Sequence, residues 1–534
     1  MIHGIVRRTV VRRRRAAAAA FLAAAAALPP RAAGAQTARA AGDPLAGFDA
    51  YAARAVGDWK TPGLAVAVVR NDSVVFAKGY GVRTLGQPGP VDTATVFAVG
   101  STTKAMTVAA LAMLVDAGRA RWDDPVTKYL PGFQLSDPYV TRELTVRDLL
   151  THRSGLGTTD AIWYGSPTSF DTLMYRLRYV TPARSLRSGY AYQNMMYGTA
   201  GAVVTAASGA PWGDFLTRHI FQPLGMTRTV PFLAQAARLP NVATPHGEVD
   251  DTLRAIAHRN IDNIGPAGSV YSSAADMAKW MRFLLDSARM GGAAGRRRLI
   301  ADSTFRQLWT PQFVVPLASF YPTARHSRPH LVAYGLGWFL HEYRGRLVAM
   351  HTGSIDGMSA IVGLLPEERV GIVVLANGDH AELRHALMFR AFDAHLGGAT
   401  KDWSRDLRLM YDSLAQQGRA AERKAEAERV KGTRPSLPLG SYAGSYADSL
   451  YGTLSVREER ARLVLQLGPL MVADLQHWHY DTFRARWRDR VLGTGEATFT
   501  LDPARRRITG VSLRGFGSFA RVDEAATAGA RARD

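Results

Sequence analysis

Residues 101–104, which read Ser-Thr-Thr-Lys, constrain this chain more than any other feature. They follow the apolar stretch 96–99 and open a predicted helix that ends before Gly118. Side chains three positions apart on a helix share one face, about 5–6 Å apart at Cβ, so Ser101 and Lys104 are expected to meet. An amine beside a hydroxyl can activate a serine nucleophile, and a helix start favours negative charge. The alternative is a serine that only caps the helix.

Two further motifs follow Ser-x-x-Lys along the chain. Residues 192–194 read Tyr-Gln-Asn, and residues 351–354 read His-Thr-Gly-Ser between two apolar runs, as the end of a strand would. Ser-x-x-Lys, Tyr-x-Asn and [Lys/His]-Thr-Gly in this order resemble the serine β-lactamase and penicillin-binding protein superfamily. The Tyr-x-Asn form resembles the class C branch with its esterase and peptidase relatives. The resemblance covers roughly residues 45–395.

The resemblance implies an α+β fold of the β-lactamase/transpeptidase type, with an antiparallel sheet flanked by helices and a helical lobe. It also implies that Ser101 is an acyl-forming nucleophile. Two candidates remain for the base: Lys104, if burial lowers its pKa, or Tyr192 as a phenolate. Tyr190 offers the same chemistry as Tyr192, but only Tyr192 has an asparagine two residues on.

The remaining motif residues are expected to bind substrate. Asn194 should hydrogen-bond Lys104 and the substrate amide. The alternative is an asparagine that only forms a turn. By resemblance, the strand that carries Thr352, Gly353 and Ser354 lies along the substrate. The Ser354 N–H is one oxyanion donor and the N–H of the nucleophile is the other, and Gly353 leaves room for substrate.

His351 stands where most β-lactamases and carboxypeptidases of the superfamily carry lysine. Lysine there would attract the carboxylate of penicillins or of peptide C-termini. A histidine with an ordinary pKa near 6.5 is mostly neutral at about pH 7 and gains a proton toward about pH 6. We therefore expect a preference for esters or peptides over β-lactams. The alternative is that His351 only hydrogen-bonds across the sheet while nearby arginines supply the charge.

The chain divides into five predicted segments. Residues 1–35 have a basic start, an apolar run and a small-x-small site, which predicts a secretory signal peptide, with the Sec or twin-arginine route left open. The hydrolase domain spans 42–397 and a helical linker 398–436. Six short alternating runs predict strands of a small β-sandwich or barrel over 437–524, similar to an uncharacterised domain appended to this family. The runs are 452–456, 462–467, 470–475, 483–487, 497–501 and 508–513. A polar tail, 525–534, is expected to be disordered.

Composition limits the partners. The net charge is +21, but seven arginines lie within residues 1–35, which leaves about +14. The other arginines are scattered among acids without a nucleic-acid motif, so no nucleic-acid partner is expected. With no cysteine, and no Asp or Glu partner at a zinc-binding spacing beside the candidate histidines, we expect neither a metal nor another cofactor. His152, His477 and His479 are expected to be structural.

The prediction from sequence is therefore an exported, periplasmic or secreted serine hydrolase without stable membrane insertion. Its substrate would be a small molecule or peptide with an ester, a D-amino-acid peptide bond or a β-lactam amide. The alternative is a binding or sensing protein that acylates once and does not turn over. The oligomeric state is not predicted.

Overall fold

A computed structural model describes residues 43–290, 297–379, 382–398 and 401–522. The predicted signal peptide and tail lie outside these ranges. The described residues from 44 onward belong to one compact unit. Among them, no helix is both long and apolar enough to cross a membrane.

The described helices and strands are as follows, in chain order. The α-helices are α1 (Phe48–Asp58), α2 (Thr103–Asp116), α3 (Pro138–Glu143), α4 (Val146–Leu149), α5 (Phe170–Arg176), α6 (Asn194–Ser208), α7 (Trp212–Leu216), α8 (Leu233–Ala236), α9 (Gly265–Gly268), α10 (Ala274–Leu285), α11 (Asp302–Leu308), α12 (Ala324–Ser327), α13 (Leu383–Leu396) and α14 (Trp403–Ala427). The strands are β1 (Gly63–Arg70), β2 (Ser73–Gly81), β3 (Val96–Ala98), β4 (His246–Val249), β5 (Thr252–Ala255), β6 (Tyr271–Ser273), β7 (Arg289–Met290), β8 (Arg297–Arg298), β9 (Phe313–Val314), β10 (Val332–Tyr334), β11 (Phe339–Tyr343), β12 (Arg346–Ile355), β13 (Met358–Leu365), β14 (Val370–Ala376), β15 (Gly444–Asp448), β16 (Gly452–Glu459), β17 (Arg462–Leu467), β18 (Met471–His479), β19 (Thr482–Trp487), β20 (Thr494–Asp502), β21 (Arg507–Leu513) and β22 (Gly517–Val522).

An eight-stranded antiparallel sheet, in the order β2-β1-β14-β13-β12-β11-β10-β9, forms the centre of the hydrolase domain. Its middle strands are apolar on both faces because both faces are covered. Along β1, Ala65 and Ala67 join the core shared with the helical lobe, whereas Leu64 and Val66 join the core beneath α1, α13 and the start of α14. This is the α+β fold that the sequence predicted, with the early and late strands in one sheet.

Helix α2 lies between the sheet and the helical lobe. Its side chains are buried on nearly every side, including Met106 and Leu111, and it packs against α6 and α9. The predicted helix start at Ser101 is resolved into two parts: Gly100–Thr102 form a 3₁₀ turn, and the α-helix begins at Thr103. Gly118, with φ of 67°, follows its end.

Helix α14 leads from the hydrolase domain to the C-terminal domain. Trp403 and Leu407 are buried in the core beneath α1 and α13, and the later turns are exposed. The C-terminal domain is a closed barrel of strands β15 to β22. Aromatic side chains such as Tyr442, Tyr446 and Phe499 fill its interior. The six predicted strands correspond to β16–β21, and β15 and β22 complete the barrel.

Candidate active site

The structure brings Ser101 and Lys104 together at the N-terminus of α2. Lys104 Nζ lies 3.0 Å from Ser101 Oγ, 2.8 Å from Asn194 Oδ1 and 2.8 Å from the carbonyl oxygen of Ala267. The lysine side chain is fully buried. The two helix positions therefore meet as their spacing predicted, and Ala267, from α9, adds an acceptor that the motifs did not indicate.

Burial lowers the pKa of Lys104 to about 7, although the nearby charge of Asp160 opposes this shift. A neutral amine has two N–H bonds and one lone pair. The Asn194 and Ala267 oxygens can accept the two N–H groups, which leaves the lone pair for the Ser101 hydroxyl. The arrangement can therefore take a proton from Ser101 near neutral pH.

Tyr192 lines the cleft together with Ser101. It is partly buried, and Lys104 Nζ is 4.8 Å from its ring centroid. Burial raises the pKa of Tyr192 well above 10, and the neighbouring Ser101 hydroxyl offsets only part of that shift. Tyr192 is therefore a protonated phenol at neutral pH. Tyr190 also lines the cleft, and its pKa is raised in the same way.

Asn194 joins the lysine to an acidic residue that the sequence analysis missed. Its Oδ1 accepts from Lys104, and its Nδ2 donates to Asp160 Oδ1 at 3.0 Å. The preceding residue, Gln193, caps α6 through Met195 N and donates to Gly157 O at 2.7 Å. Asn194 and Asp160 lie 34 positions apart, so no local pattern links them.

His351 is buried beneath the cleft and does not line it. Its Nε2 lies 2.9 Å from the hydroxyl of Tyr334 on β10, and its Nδ1 lies 2.6 Å from Thr352 O. Burial first, then the charge of Lys104, lowers its pKa to about 3. His351 is therefore neutral at pH 7, as expected, but it also stays neutral well below pH 6. The protonation expected near pH 6 does not occur.

The next three residues of β12 lie against the nucleophile turn. Thr352 and Ser354 line the cleft, and Thr352 Oγ1 lies 2.6 Å from the Tyr321 hydroxyl. A Cβ on Gly353 would lie 1.9 Å from Val99 O. The space beside Gly353 is therefore filled by the backbone that leads into Ser101, rather than left for substrate as expected.

Arg384, from α13, is a second residue that the motifs did not reveal. Its NH1 donates to Gly353 O at 2.6 Å and to Ser354 Oγ at 2.8 Å, and its NH2 donates to Glu382 at 3.0 Å. The side chain is only 4% exposed. It fixes the end of β12 and brings a paired positive charge to the cleft. The residues around Arg384 in the sequence gave no signal for this role.

These residues surround a cleft of about 660 Å³. Of the predicted site residues, Ser101, Tyr192, Asn194, Thr352 and Ser354 line it, whereas Lys104, His351 and Gly353 lie beneath its surface. The other lining residues are Asp160, Trp163, Tyr164, Tyr190, Ser319, Phe320, Tyr321, Pro322, Phe339, Ile355, Asp356, Asp379, Arg384 and Val491.

Of the three histidines considered from sequence, His152 lies in the hydrolase domain, whereas His477 and His479 lie in the barrel. His152 is buried against Tyr192, with ring centroids 4.2 Å apart, and its Nδ1 accepts from Gln193 N at 3.0 Å. His477 and His479 lie on β18 of the barrel. In the described ranges, no group of three or more His, Cys, Asp or Glu side chains is arranged to hold a metal ion.

Comparison with known proteins shows what this chain is similar to. The beta-lactamase family model matches residues 48–395, and a domain of unknown function, DUF3471, matches residues 428–526. The unguisins hydrolase of Aspergillus violaceofuscus is 29% identical over 74% of each chain. Penicillin-binding protein 4 of Amycolatopsis lactamdurans is 29% identical over 63% of this chain and 86% of its own length.

Solved structures share the fold. The octameric penicillin-binding protein homologue from Pyrococcus abyssi superposes with a TM-score of 0.58 at 19% identity, covering 89% of this chain and 99% of its own. SurE superposes with a TM-score of 0.53 at 20% identity, covering 90% and 99%. Because the family model covers more than half of the chain, the protein belongs to the beta-lactamase family, as a penicillin-binding-protein-like serine hydrolase with an additional C-terminal domain.

Proposed function

We propose that this protein hydrolyses an ester, a D-amino-acid peptide bond or a β-lactam amide through an acyl-enzyme on Ser101. The observation that carries the proposal is the 3.0 Å approach of Ser101 Oγ to Lys104 Nζ, together with a lysine pKa of about 7. The arrangement resembles the class C branch, and the start of the sequence supports export to the periplasm or beyond.

In the proposed acylation, Lys104 takes the Ser101 proton while Oγ attacks the carbonyl carbon. The N–H groups of Ser101 and Ser354 stabilise the oxyanion of the tetrahedral intermediate. The C–N or C–O bond then breaks, and the proton passes to the leaving group from Lys104 through Tyr192. Tyr192 is suited to donating this proton because it is a phenol at neutral pH. Water then attacks the acyl carbon while the neutral Lys104 takes its proton, the bond from the acyl carbon to Oγ breaks, and the proton returns to Oγ, which regenerates Ser101.

Charge in the cleft favours substrates without a carboxylate beside the scissile bond. His351 is neutral where a lysine would attract an anion. The cleft lining contains the carboxylates of Asp160, Asp356 and Asp379 and the guanidinium of Arg384. Asp356 is paired with Arg259, and the positive charge of Arg384 is paired with Glu382, so no unpaired arginine of the lining attracts an anion. A neutral or amine-bearing ester or peptide fits this lining better than a penicillin. The relative named unguisins hydrolase is named for hydrolysis, which favours turnover over binding alone.

The test is a hydrolysis panel of a short-chain ester, a D-amino-acid peptide amide and a cephalosporin, with Ser101→Ala as the control. We expect turnover of the ester or peptide and a loss of about 10³-fold or more in Ser101→Ala, as for other covalent nucleophiles. A fluorophosphonate adduct should map to Ser101. Unchanged turnover in Ser101→Ala would contradict the proposal. Labelling of Ser101 without turnover would instead favour the non-turnover binding protein.

A further inference from the structure

The C-terminal barrel reaches the cleft that contains Ser101. The connection between β19 and β20 forms a short 3₁₀ helix, Arg490–Leu492. Its central residue, Val491, lines the cleft with Tyr164 and Asp356 of the hydrolase domain. Asp356 follows directly after β12, so the barrel side chain lies beside the strand that also contributes Ser354.

Asp489 fixes this turn in two ways. Its side chain caps the turn by accepting from Val491 N at 3.2 Å, and it pairs with Arg259 NH2 of the hydrolase domain at 2.5 Å. Arg259 Nε also donates to Asp356 at 2.8 Å, and the Tyr164 hydroxyl donates to the same carboxylate at 2.5 Å. The Arg259 and Asp356 side chains are only 12% and 11% exposed, so this pair is shielded from water, whereas the Asp489 side chain is 31% exposed.

Further contacts hold the barrel against the hydrolase domain. Arg490 pairs with Asp250, which follows β4. Met471, at the start of β18, lies beside Gly165, with its Cγ 3.6 Å from the position that a Cβ there would take. Gly165 follows Trp163 and Tyr164, which line the cleft. The barrel therefore packs against the loop that borders the cleft as well as against the linker helix.

We infer that the barrel is a specificity element of the active site, and that the Val491 turn limits the size of the substrate group that enters beside Asp356. The inference rests on the proposed function, because it concerns which substrates reach Ser101. A cleft narrowed by Val491 favours substrates with compact acyl or leaving groups. A difference of one methylene between substrate and pocket alters kcat/KM by roughly 10–200-fold. A single residue that lines the cleft can therefore have a measurable effect on specificity.

The absence of cysteine allows a test on the folded, full-length protein. Val491→Cys is purified and then modified with either a methyl thiosulfonate or a pyrenyl maleimide. The control is Ala504→Cys, an exposed site in the β20–β21 turn, at the opposite end of β20 from Val491. Activity is measured on p-nitrophenyl acetate and on a bulky aromatic p-nitrophenyl ester.

With pyrenyl maleimide at position 491, we expect the ratio of kcat/KM for the bulky ester to that for the acetate to fall at least about tenfold, consistent with pocket discrimination elsewhere. The thiosulfonate should change this ratio much less. Modification at position 504 should leave it unaltered. Equal ratios for both positions would overturn the inference.

A second measurement does not depend on turnover. A bulky fluorophosphonate attached to Ser101 should slow alkylation of the thiol introduced at position 491, but not of the thiol at position 504. Alkylation at an unchanged rate would overturn the inference even if the enzyme is active. A wild-type protein that neither turns over an ester nor forms an adduct at Ser101 would overturn the proposed function itself, and the inference with it.

Discussion

The buried side chain of Lys104 sets the pH range in which Ser101 can react. Its pKa is lowered to about 7 by burial, and only the neutral amine can accept a proton. We expect kcat/KM for an ester to be low at about pH 5.5 and to rise to a plateau near pH 8–9, with a midpoint near pH 7. His351 adds no second ionisation in this range, because its pKa is about 3.

The measurement is a pH–rate profile with a neutral ester, for wild type and for His351→Asn. The same midpoint in both proteins excludes His351 as the source of the ionisation. Lys104→Met should remove it and most of the rate. If the midpoint stays near pH 7 in Lys104→Met, another group is the base.

The sequence predicted the residues with local signatures and missed those that act across distance. Ser101 and Lys104 are three positions apart on one helix, so their meeting follows from helix geometry. Asp160 and Arg384 reach the site only through contacts between loops, helices and strands that are distant in sequence. The depth at which His351 is buried also depends on tertiary packing, which is why its pKa was expected near the ordinary value.

At the scale of elements, β12 and the nucleophile turn pack too closely for a side chain between them. A Cβ on Gly353 would lie 1.9 Å from Val99 O and 2.9 Å from Ser101 N. Both neighbours are backbone atoms and cannot rotate away. Gly353→Ala should therefore displace the nucleophile turn, lower kcat/KM by at least about 10²-fold through misplacement, and destabilise the fold by about 1–3 kcal/mol through overpacking.

Gly418→Ala is the matched control, because Gly418 is an exposed position of α14 with nothing within 4 Å of its added Cβ. There alanine should stabilise the helix by up to about 1 kcal/mol and leave activity intact. Thermal unfolding and ester hydrolysis are measured for both variants. A Gly353→Ala protein with wild-type stability and rate would show that the strand and turn can separate without consequence.

The same contrast between local and long-range information applies to the elements. The continuous apolar runs 64–69 and 370–376 are visible in the sequence, and they form β1 and β14, which are covered on both faces of the sheet. Six barrel strands were visible from their alternation. The pairing of β15 with β22, which closes the barrel, joins segments more than 70 residues apart and has no local signature.

At the scale of the whole molecule, Asp489 and Arg259 connect the barrel to the hydrolase domain. Asp489→Asn separates the two roles of this carboxylate, because asparagine caps a helical turn about as well as aspartate but carries no charge. We expect the barrel turn to persist while the ion pair weakens. The result should be a several-fold change in the ratio of kcat/KM for bulky and small esters, with little change in unfolding temperature.

Asp502→Asn is the matched control, since Asp502 also caps a turn, through Ala504 N and Arg505 N, at the opposite end of β20. A double-mutant cycle of Asp489→Asn with Arg259→Gln should give a coupling energy of about 0.5–3 kcal/mol in kcat/KM for the bulky ester, as residues in direct contact do. A coupling energy of this size would show that residues of both domains determine substrate specificity together. Additive effects, or an equal response from Asp502→Asn, would show that the barrel contacts the cleft without influencing what enters it.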